Sequence, residues 1–310
     1  MTTVTSIGIG NMGAALASTL LKSTNPPQLT IWNRTADRPQ VKSLVDQGAQ
    51  FEPSLAAAVA RSETILICLL DYPAITAAFQ AITTAKPLEG KTVINVTNGT
   101  PTQARQAEAD FKQLGAVAYY DGGIMVTPQL VGTPASFVIL SGESDAAFQA
   151  GPRELLKPIG AINYVAPDAG AAALYDVAAL ASMYGMFMGA FTGIALLKKQ
   201  RRIEPAKEGE AAEAKVLAKP ATDAVVVPVL KALVPYVSLL ADGVDNEDWM
   251  NDLGNPLAMQ AAGLRNILQT CDEEGVQSEG LRYISQLMHR AVEEGFGPGG
   301  LSAIGQYMFK

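Results

Sequence analysis

Between residues 169 and 197 the only side chain ionised at neutral pH is Asp176, set among Leu174, Tyr175, Val177 and Ala178. A lone carboxylate in apolar surroundings is suited to managing a proton, or to stabilising a cation beside a carbon that receives a hydride. Tyr184 lies eight residues on, about 80° around a helix and roughly 12 Å along it. Both side chains can therefore border one pocket without bonding to each other. Asn98, in Val96-Thr97-Asn98-Gly99-Thr100, supplies an amide that donates and accepts. Structural readings stay open for each: a buried ion pair for Asp176, a core aromatic for Tyr184, a turn before Gly99 for Asn98.

Chemistry of this kind needs a hydride source, and the N-terminus offers a site for one. Gly8-Ile9-Gly10-Asn11-Met12-Gly13 fits the glycine pattern that joins a strand to a helix around a pyrophosphate. Gly8 permits the tight turn, Gly10 the close approach of phosphate, and Gly13 the packing of helix on strand. Backbone amides from Asn11 and Met12 onward then face the phosphates. Twenty residues past Gly13, where an NAD enzyme usually carries Asp or Glu, the chain reads Asn33-Arg34-Thr35, with Arg38 close behind. These residues favour a 2′-phosphate, so the expected cofactor is NADP(H). Leu69 and Leu70, in Cys68-Leu69-Leu70-Asp71, and Asn98 should flank the nicotinamide half, because ligands gather beyond the carboxyl ends of parallel strands.

The elements needed to hold these groups are legible. Apolar runs Thr5–Ile9, Gln28–Trp32, Thr64–Leu70, Thr92–Val96, Val117–Asp121 and Ser136–Ser141 read as strands, most of them buried on both faces. Helical stretches at Asn11–Lys22, Pro73–Thr83, Thr102–Gln113 and Asp145–Leu156 separate them. Strands alternating with helices imply a parallel, doubly wound sheet. The expected class is α/β. An N-terminal Rossmann dinucleotide-binding domain (1–166) is joined by a long interdomain helix, about 169–198, to an all-helical C-terminal domain within 167–310. Asp168 is the expected cap of that helix. Helices are expected around Val225–Leu240, Pro256–Cys271 and Leu281–Glu294, and residues 200–222 as a charged, exposed interruption.

Composition excludes several functions. A net charge of -7 argues against a general nucleic-acid or anionic-membrane partner. One histidine, His289, and two distant cysteines, Cys68 and Cys271, leave no metal cluster and no disulfide framework. The first residues lack a signal-peptide pattern, so a cytoplasmic location is expected. The long helix has the length of a membrane span, but Asp176 would be costly there, and Gly185, Gly189 and Gly193 form a stripe suited to close helix contact. A helix buried between subunits is the better reading.

Taken together, Gly8–Gly13 with Asn33-Arg34-Thr35, Asn98-Gly99-Thr100-Pro101, Asp121-Gly122-Gly123-Ile124-Met125, and Leu174-Tyr175-Asp176 through Met183-Tyr184-Gly185 resemble the imine reductases. The resemblance is strongest to their fungal-type reductive aminases, within the β-hydroxyacid dehydrogenase superfamily. It implies NADPH-dependent reduction of C=N bonds, including condensation of a carbonyl with an amine, by a domain-swapped homodimer with shared active sites. By the same resemblance Asp176 handles the proton, Tyr184 positions the substrate, and Asn98 is an active-site amide. Met125, Tyr236 and Gln260 line the pocket. The rival within the superfamily, reduction of a small carbonyl compound, relies on a lysine early in the interdomain helix. No lysine occurs here between Lys157 and Lys198. A non-catalytic NADP-binding sensor is the rival from another class.

Overall fold

The computed structural model describes residues 2–199 and 217–309. Most of the charged segment 200–222 lies outside the described residues. By their internal contacts the residues divide into two compact units, Met1–Ala181 and Ser182–Lys310, a division that falls inside the long helix.

The first unit is built on an eight-stranded sheet of order β3-β2-β1-β4-β5-β6-β7-β8. Its strands are β1 (Thr3–Ile7), β2 (Gln28–Trp32), β3 (Gln50–Phe51), β4 (Thr64–Ile67), β5 (Thr92–Asn95), β6 (Ala118–Ile124), β7 (Phe137–Ser141) and β8 (Ala161–Tyr164). The helices between them are α1 (Asn11–Leu21), α2 (Pro39–Asp46), α3 (Leu55–Ala60), α4 (Tyr72–Gln80), α5 (Pro101–Gln113), α6 (Asp145–Ala150) and α7 (Pro152–Leu156). They are followed by the long helix α8 (Gly170–Leu197). Both faces of the sheet are covered, and the strands show why. In β4, Leu66 enters one core with Leu16, Leu20, Ile31 and Val41, while Ile65 and Ile67 enter the other with Phe79, Val93 and Phe111. Side chains that alternate along a strand feed both layers, which is why these runs carry no polar face.

The sheet differs from the expected pattern at its far edge. β6 and β7 pair antiparallel, whereas alternation of strands and helices predicts parallel neighbours. Among the residues joining them the only helical segment is the single turn Pro128–Leu130. A parallel return is usually carried by a crossover helix, and this connection forms none beyond that turn. The stretch expected as one helix from Asp145 to Leu156 is two, because Pro152 cannot continue the ladder and Gly151 departs from helical angles at φ -140, ψ -78. The short strands β3 and β8 were not expected.

Local signals fix the helix starts nearest the site. Asp71 accepts the Ala74 N–H at 2.8 Å to cap α4. Thr100 and Gln103 form a reciprocal capping box on α5, with Pro101 just inside it. Asp168 accepts the Gly170 N–H at 3.1 Å, as expected of a cap, and is also clamped by Arg105 through two bonds of 2.8 and 2.7 Å. Ser141 on β7 donates to the Ala169 carbonyl and accepts from the Ala172 N–H, both at 2.9 Å. The first turns of α8 are thereby tied to the sheet.

The second unit is helical among its described residues. Its main helices are Val227–Leu233, Tyr236–Asp245, Leu257–Glu274 and Glu279–Ala291. Leu257, Ala261, Met288, Ala291 and Ala303 form its small core. By length and composition, Gly170–Leu197 and Lys219–Asp245 could each cross a bilayer. Both carry large apolar side chains that the single chain leaves exposed, among them Tyr184, Phe191, Val229, Leu233 and Val237.

Candidate active site

The order of strands reverses between β1 and β4, and the crevice beyond their carboxyl ends is where such sheets bind ligands. β1 runs out at Ile7, and Gly8 turns the chain with φ +94 while its N–H donates to the Trp32 carbonyl at 3.0 Å. A Cβ on Gly8 would sit 2.3 Å from the Cys68 carbonyl oxygen, and one on Gly13 only 1.9 Å from that of Gly8. At Gly10 the corresponding space is open. α1 begins directly after Gly10 with no side-chain cap and no acidic residue in its first turn, and Gly10, Asn11, Met12 and Gly13 line the crevice, so the amides of that turn are placed to meet an anion there.

Most of the residues expected at the cofactor line this one groove: Gly8, Gly10, Asn11, Met12, Gly13, Asn33, Arg34, Thr35, Arg38, Leu69 and Leu70; Asn98, expected beside the nicotinamide, is not part of its lining. Asn33 has a more local task than expected. Its Oδ1 accepts the Ile9 N–H at 2.9 Å and its Nδ2 donates to the Thr35 carbonyl at 2.8 Å. The side chain staples the glycine turn to the loop that carries Arg34. Pro53, Ser54, Leu55 and the alanines of α4, Ala74, Ala77 and Ala78, complete the wall. Sequence reasoning missed these because nothing distinguishes a groove-facing alanine from a packed one. Cys68 also lines the groove, but burial pushes its thiol up to about 11. It is a neutral structural group rather than a nucleophile.

The groove connects to the candidate catalytic groups through one turn. Asn95 at the end of β5 accepts the Thr97 N–H on its Oδ1 at 3.1 Å, and Thr97 Oγ1 accepts the Leu69 N–H at 3.0 Å. Asn98 follows, and its Nδ2 donates to Asp176 Oδ2 at 2.8 Å. Asp176 is buried on α8, only 9% exposed. Its carboxyl group rests against Gly123 of β6, where a Cβ would lie 3.1 Å from Asp176 Cγ. Met125, just past β6, is half-buried and donates its N–H to the Phe137 carbonyl at 3.1 Å.

The remaining expected site residues belong to the second unit. Tyr184 is 65% exposed, with Phe187 edge-on to its ring. The Tyr236 hydroxyl is buried without a hydrogen-bond partner among the described residues. Gln260 donates to the Asn255 carbonyl at 2.6 Å, which holds its amide at the start of its helix.

One charged group was named in the sequence only as part of a motif. Asp121, 1% exposed, lies on β6 opposite Asn95. Its Oδ2 accepts from the hydroxyls of Tyr72 and Tyr119, each at 2.6 Å, and from Asn95 Nδ2 at 3.1 Å. Burial raises this carboxyl to about 7 against the pull of those three donors, and the charge of Asp176 adds to the rise. Both tyrosine hydroxyls are pushed far above their usual range, by burial first and the neighbouring carboxylate second. The available signal was an acidic residue inside the apolar run of a central strand.

No group of three or more histidine, cysteine or acidic residues able to hold a metal occurs among the described residues. Comparison with known proteins gives a consistent picture. Residues 3–165 match the model described as the NAD binding domain of 6-phosphogluconate dehydrogenase. Residues 168–309 match the model for the C-terminal domain of NADPH-dependent reductive aminase-like proteins. The chain is 34% identical to an NADPH-dependent reductive aminase of Aspergillus oryzae, over 97% of this chain and 95% of that one. It also resembles the solved reductive aminase of Aspergillus terreus in complex with NADPH4, cyclohexanone and allyl amine, at 33% identity and TM-score 0.86 over 99% of each chain. An Aspergillus terreus imine reductase in complex with NADPH4 and dibenz[c,e]azepine matches at 34% identity and TM-score 0.81, again over 99% of each.

Proposed function

The chain belongs to the reductive aminase family, and from that premise we propose that it is an NADPH-dependent oxidoreductase. It reduces imines and iminium ions to amines and joins carbonyl compounds to amines by reductive amination. The observation that carries this reading is the buried Asp176 carboxylate, held by Asn98 on a turn that is itself tied to Leu69 of the cofactor groove.

The groove fits the cofactor on its own geometry. Side chains at Gly8 and Gly13 would collide with backbone, the space at Gly10 is kept open, and the amides of α1 face it. These amides would bind the pyrophosphate. Arg34, Thr35 and Arg38 would bind the 2′-phosphate; among the described residues no carboxylate forms an ion pair with either arginine. NADPH, when bound, supplies the hydride that reaches the carbon of the C=N bond.

The chain's own groups then govern charge on the nitrogen. Asn98 occupies Asp176 Oδ2, which leaves Oδ1 for the substrate. The buried Asp176 carboxylate stabilises an iminium ion placed beside it and so makes its carbon a better hydride acceptor. During reductive amination it takes a proton from the attacking ammonium, freeing the lone pair that forms the C–N bond. The balance for the reduction is imine, NADPH and one proton giving amine and NADP+.

The same reading includes a homodimer whose sites are shared between protomers, with Tyr184 positioning substrate and Met125, Tyr236 and Gln260 lining the pocket. It is supported by the apolar side chains of α8 and of Lys219–Asp245, which the single chain leaves exposed. A bilayer is a poor alternative cover for α8, because Asp176 in its first half is bonded to the turn after β5. A cytoplasmic location accords with two free cysteines.

The test is NADPH oxidation with a preformed cyclic imine, with a ketone alone, and with the ketone plus an amine. Turnover in the first and third mixtures, but not the second, is expected. Oxidation with the ketone alone at the rate of the imine would reassign the enzyme to carbonyl reduction.

A further inference from the structure

The buried cluster around Asp121 lies outside the chemistry described above, yet each of its branches leads to a group that the chemistry uses. On one side, Asn95 donates to Asp121 from Nδ2 while its Oδ1 holds the Thr97 N–H, fixing the backbone immediately before Asn98. On another, Tyr72 donates its hydroxyl to Asp121 while its ring lies against Gly99, where a Cβ would come within 2.2 Å of it. Asn98 is thus bracketed from both directions. Along β6 itself, Tyr119, Asp121 and Gly123 share one face, and Gly123 is the surface on which the Asp176 carboxyl rests.

We propose that Asp121 is a positioning residue for the reaction. Through Tyr72 and Asn95 it sets the turn carrying Asn98, and through its strand it sets the floor under Asp176. This rests on the reductive aminase reading given above. The polar groups facing Asp121 are Tyr72 from α4, Tyr119 from β6, Asn95 from β5 and Asp176 from α8. As a carboxylate, its Oδ2 accepts from three donors at once. Protonation removes the charge that holds three donors on one oxygen and so weakens all three bonds. Its ordinary titration would fall well below the working range, but burial moves it to about 7. The anchor therefore loosens on the acid side of neutrality.

The test uses the full chain with NADPH and a preformed cyclic imine. Tyr72→Phe removes one hydroxyl and keeps the ring against Gly99, while Asp121→Asn keeps the shape and removes the charge. Each is expected to lower kcat by about 10- to 100-fold, the scale of a small misplacement of reacting groups, with the Kd for NADPH unchanged within about twofold. The double variant should be no more than about threefold slower than the slower single variant, because both act through one network. The wild-type kcat should fall with a midpoint near 7 on the acid side, and Asp121→Asn should lack that limb. Folded variants with wild-type kcat, losses that multiply, or an unchanged acid limb would overturn the proposal. Should the wild type reduce no imine at all, the functional reading fails by itself. A crystal structure of Asp121→Asn then decides the inference: loss of the Asn98–Asp176 bond supports it, and an intact bond overturns it.

Discussion

Asn98 donates its amide to Asp176 at 2.8 Å, across 78 residues of sequence. The bond joins a turn at the edge of the cofactor groove to the helix that carries the acid. It also selects one carboxylate oxygen, so the other has a defined direction. Replacing Asp176 by Asn or Ala should lower kcat on imines by about 100-fold or more, the usual size of an acid–base contribution. Asn98→Ala should cost less, about tenfold, since the carboxylate survives without its guide. Steady-state rates on a preformed imine check both, and undiminished turnover by a folded Asp176→Ala protein would remove this residue from the mechanism.

Arg34 lines the groove beside Asn33 and Thr35. A charge-assisted bond to a 2′-phosphate contributes roughly 1.5–3 kcal/mol, so Arg34→Ala should raise the KM for NADPH by about 10- to 150-fold. The KM for NADH, which lacks that phosphate, should stay within about twofold of wild type. Equal loss with the two cofactors would place Arg34 in the fold rather than in recognition.

A methyl group at Gly13 would meet the Gly8 carbonyl oxygen at 1.9 Å, and both atoms belong to backbone that cannot swing aside. Gly13→Ala should therefore separate α1 from the end of β1. The expected result is loss of detectable NADPH binding together with a destabilisation of about 1–3 kcal/mol, as for other overpacked sites. Calorimetric titration and thermal unfolding check it; a variant that binds NADPH normally would contradict the geometry.

Asp121 makes stability depend on pH in an uncommon direction. Its carboxyl lies near 3.8 when the chain is unfolded and about 7 when folded. Between those values the native state holds a proton that the unfolded state has released, so stability falls as pH rises through this window. The slope is about 1.4 kcal/mol per pH unit at most, and it ends above the folded value. Asp121→Asn removes this slope. Relative to wild type, the variant should gain stability between pH 5 and about 7. Denaturant unfolding across that range measures it, and parallel wild-type and variant curves would show that Asp121 does not titrate there.

Phe187 and Phe191 on α8 are 42% and 68% exposed in the single chain. If a second copy covers them, Phe187→Glu and Phe191→Glu should shift the protein from dimer to monomer and abolish imine reduction, since unpaired charges in an apolar interface are costly. Sedimentation velocity reads the first effect and NADPH oxidation the second. A fully active monomer would rule out shared sites.

The cofactor half of this architecture was legible because its constraints are local. Gly8, Gly10 and Gly13 each answer to a backbone collision or an open approach, and Gln28–Trp32 has the bounds its pattern predicts. The antiparallel β6–β7 pair departs from the expected parallel sheet because the only helical segment between the two strands is the turn Pro128–Leu130, a cue that strand-and-helix alternation overrides. Asp176 stood out because nothing near it in sequence is ionised. Asp121 did not, because its partners Tyr72, Asn95 and Tyr119 come from two other elements as well as its own strand, and only folding brings them together. Asn33 lines the groove as expected, but that its amide also staples the Ile9 N–H to the Thr35 carbonyl is a use that spacing alone does not disclose.

The contact between Gly123 and Asp176 has a practical corollary for anyone reshaping the pocket. With 3.1 Å between a would-be Cβ and the carboxyl carbon, alanine there would nudge the acid by a few tenths of an ångström, and a larger residue would evict it. Combinatorial libraries that randomise the end of this strand to widen substrate scope would thus retune the acid at the same time. Diversity is better introduced at Met125, two residues farther along.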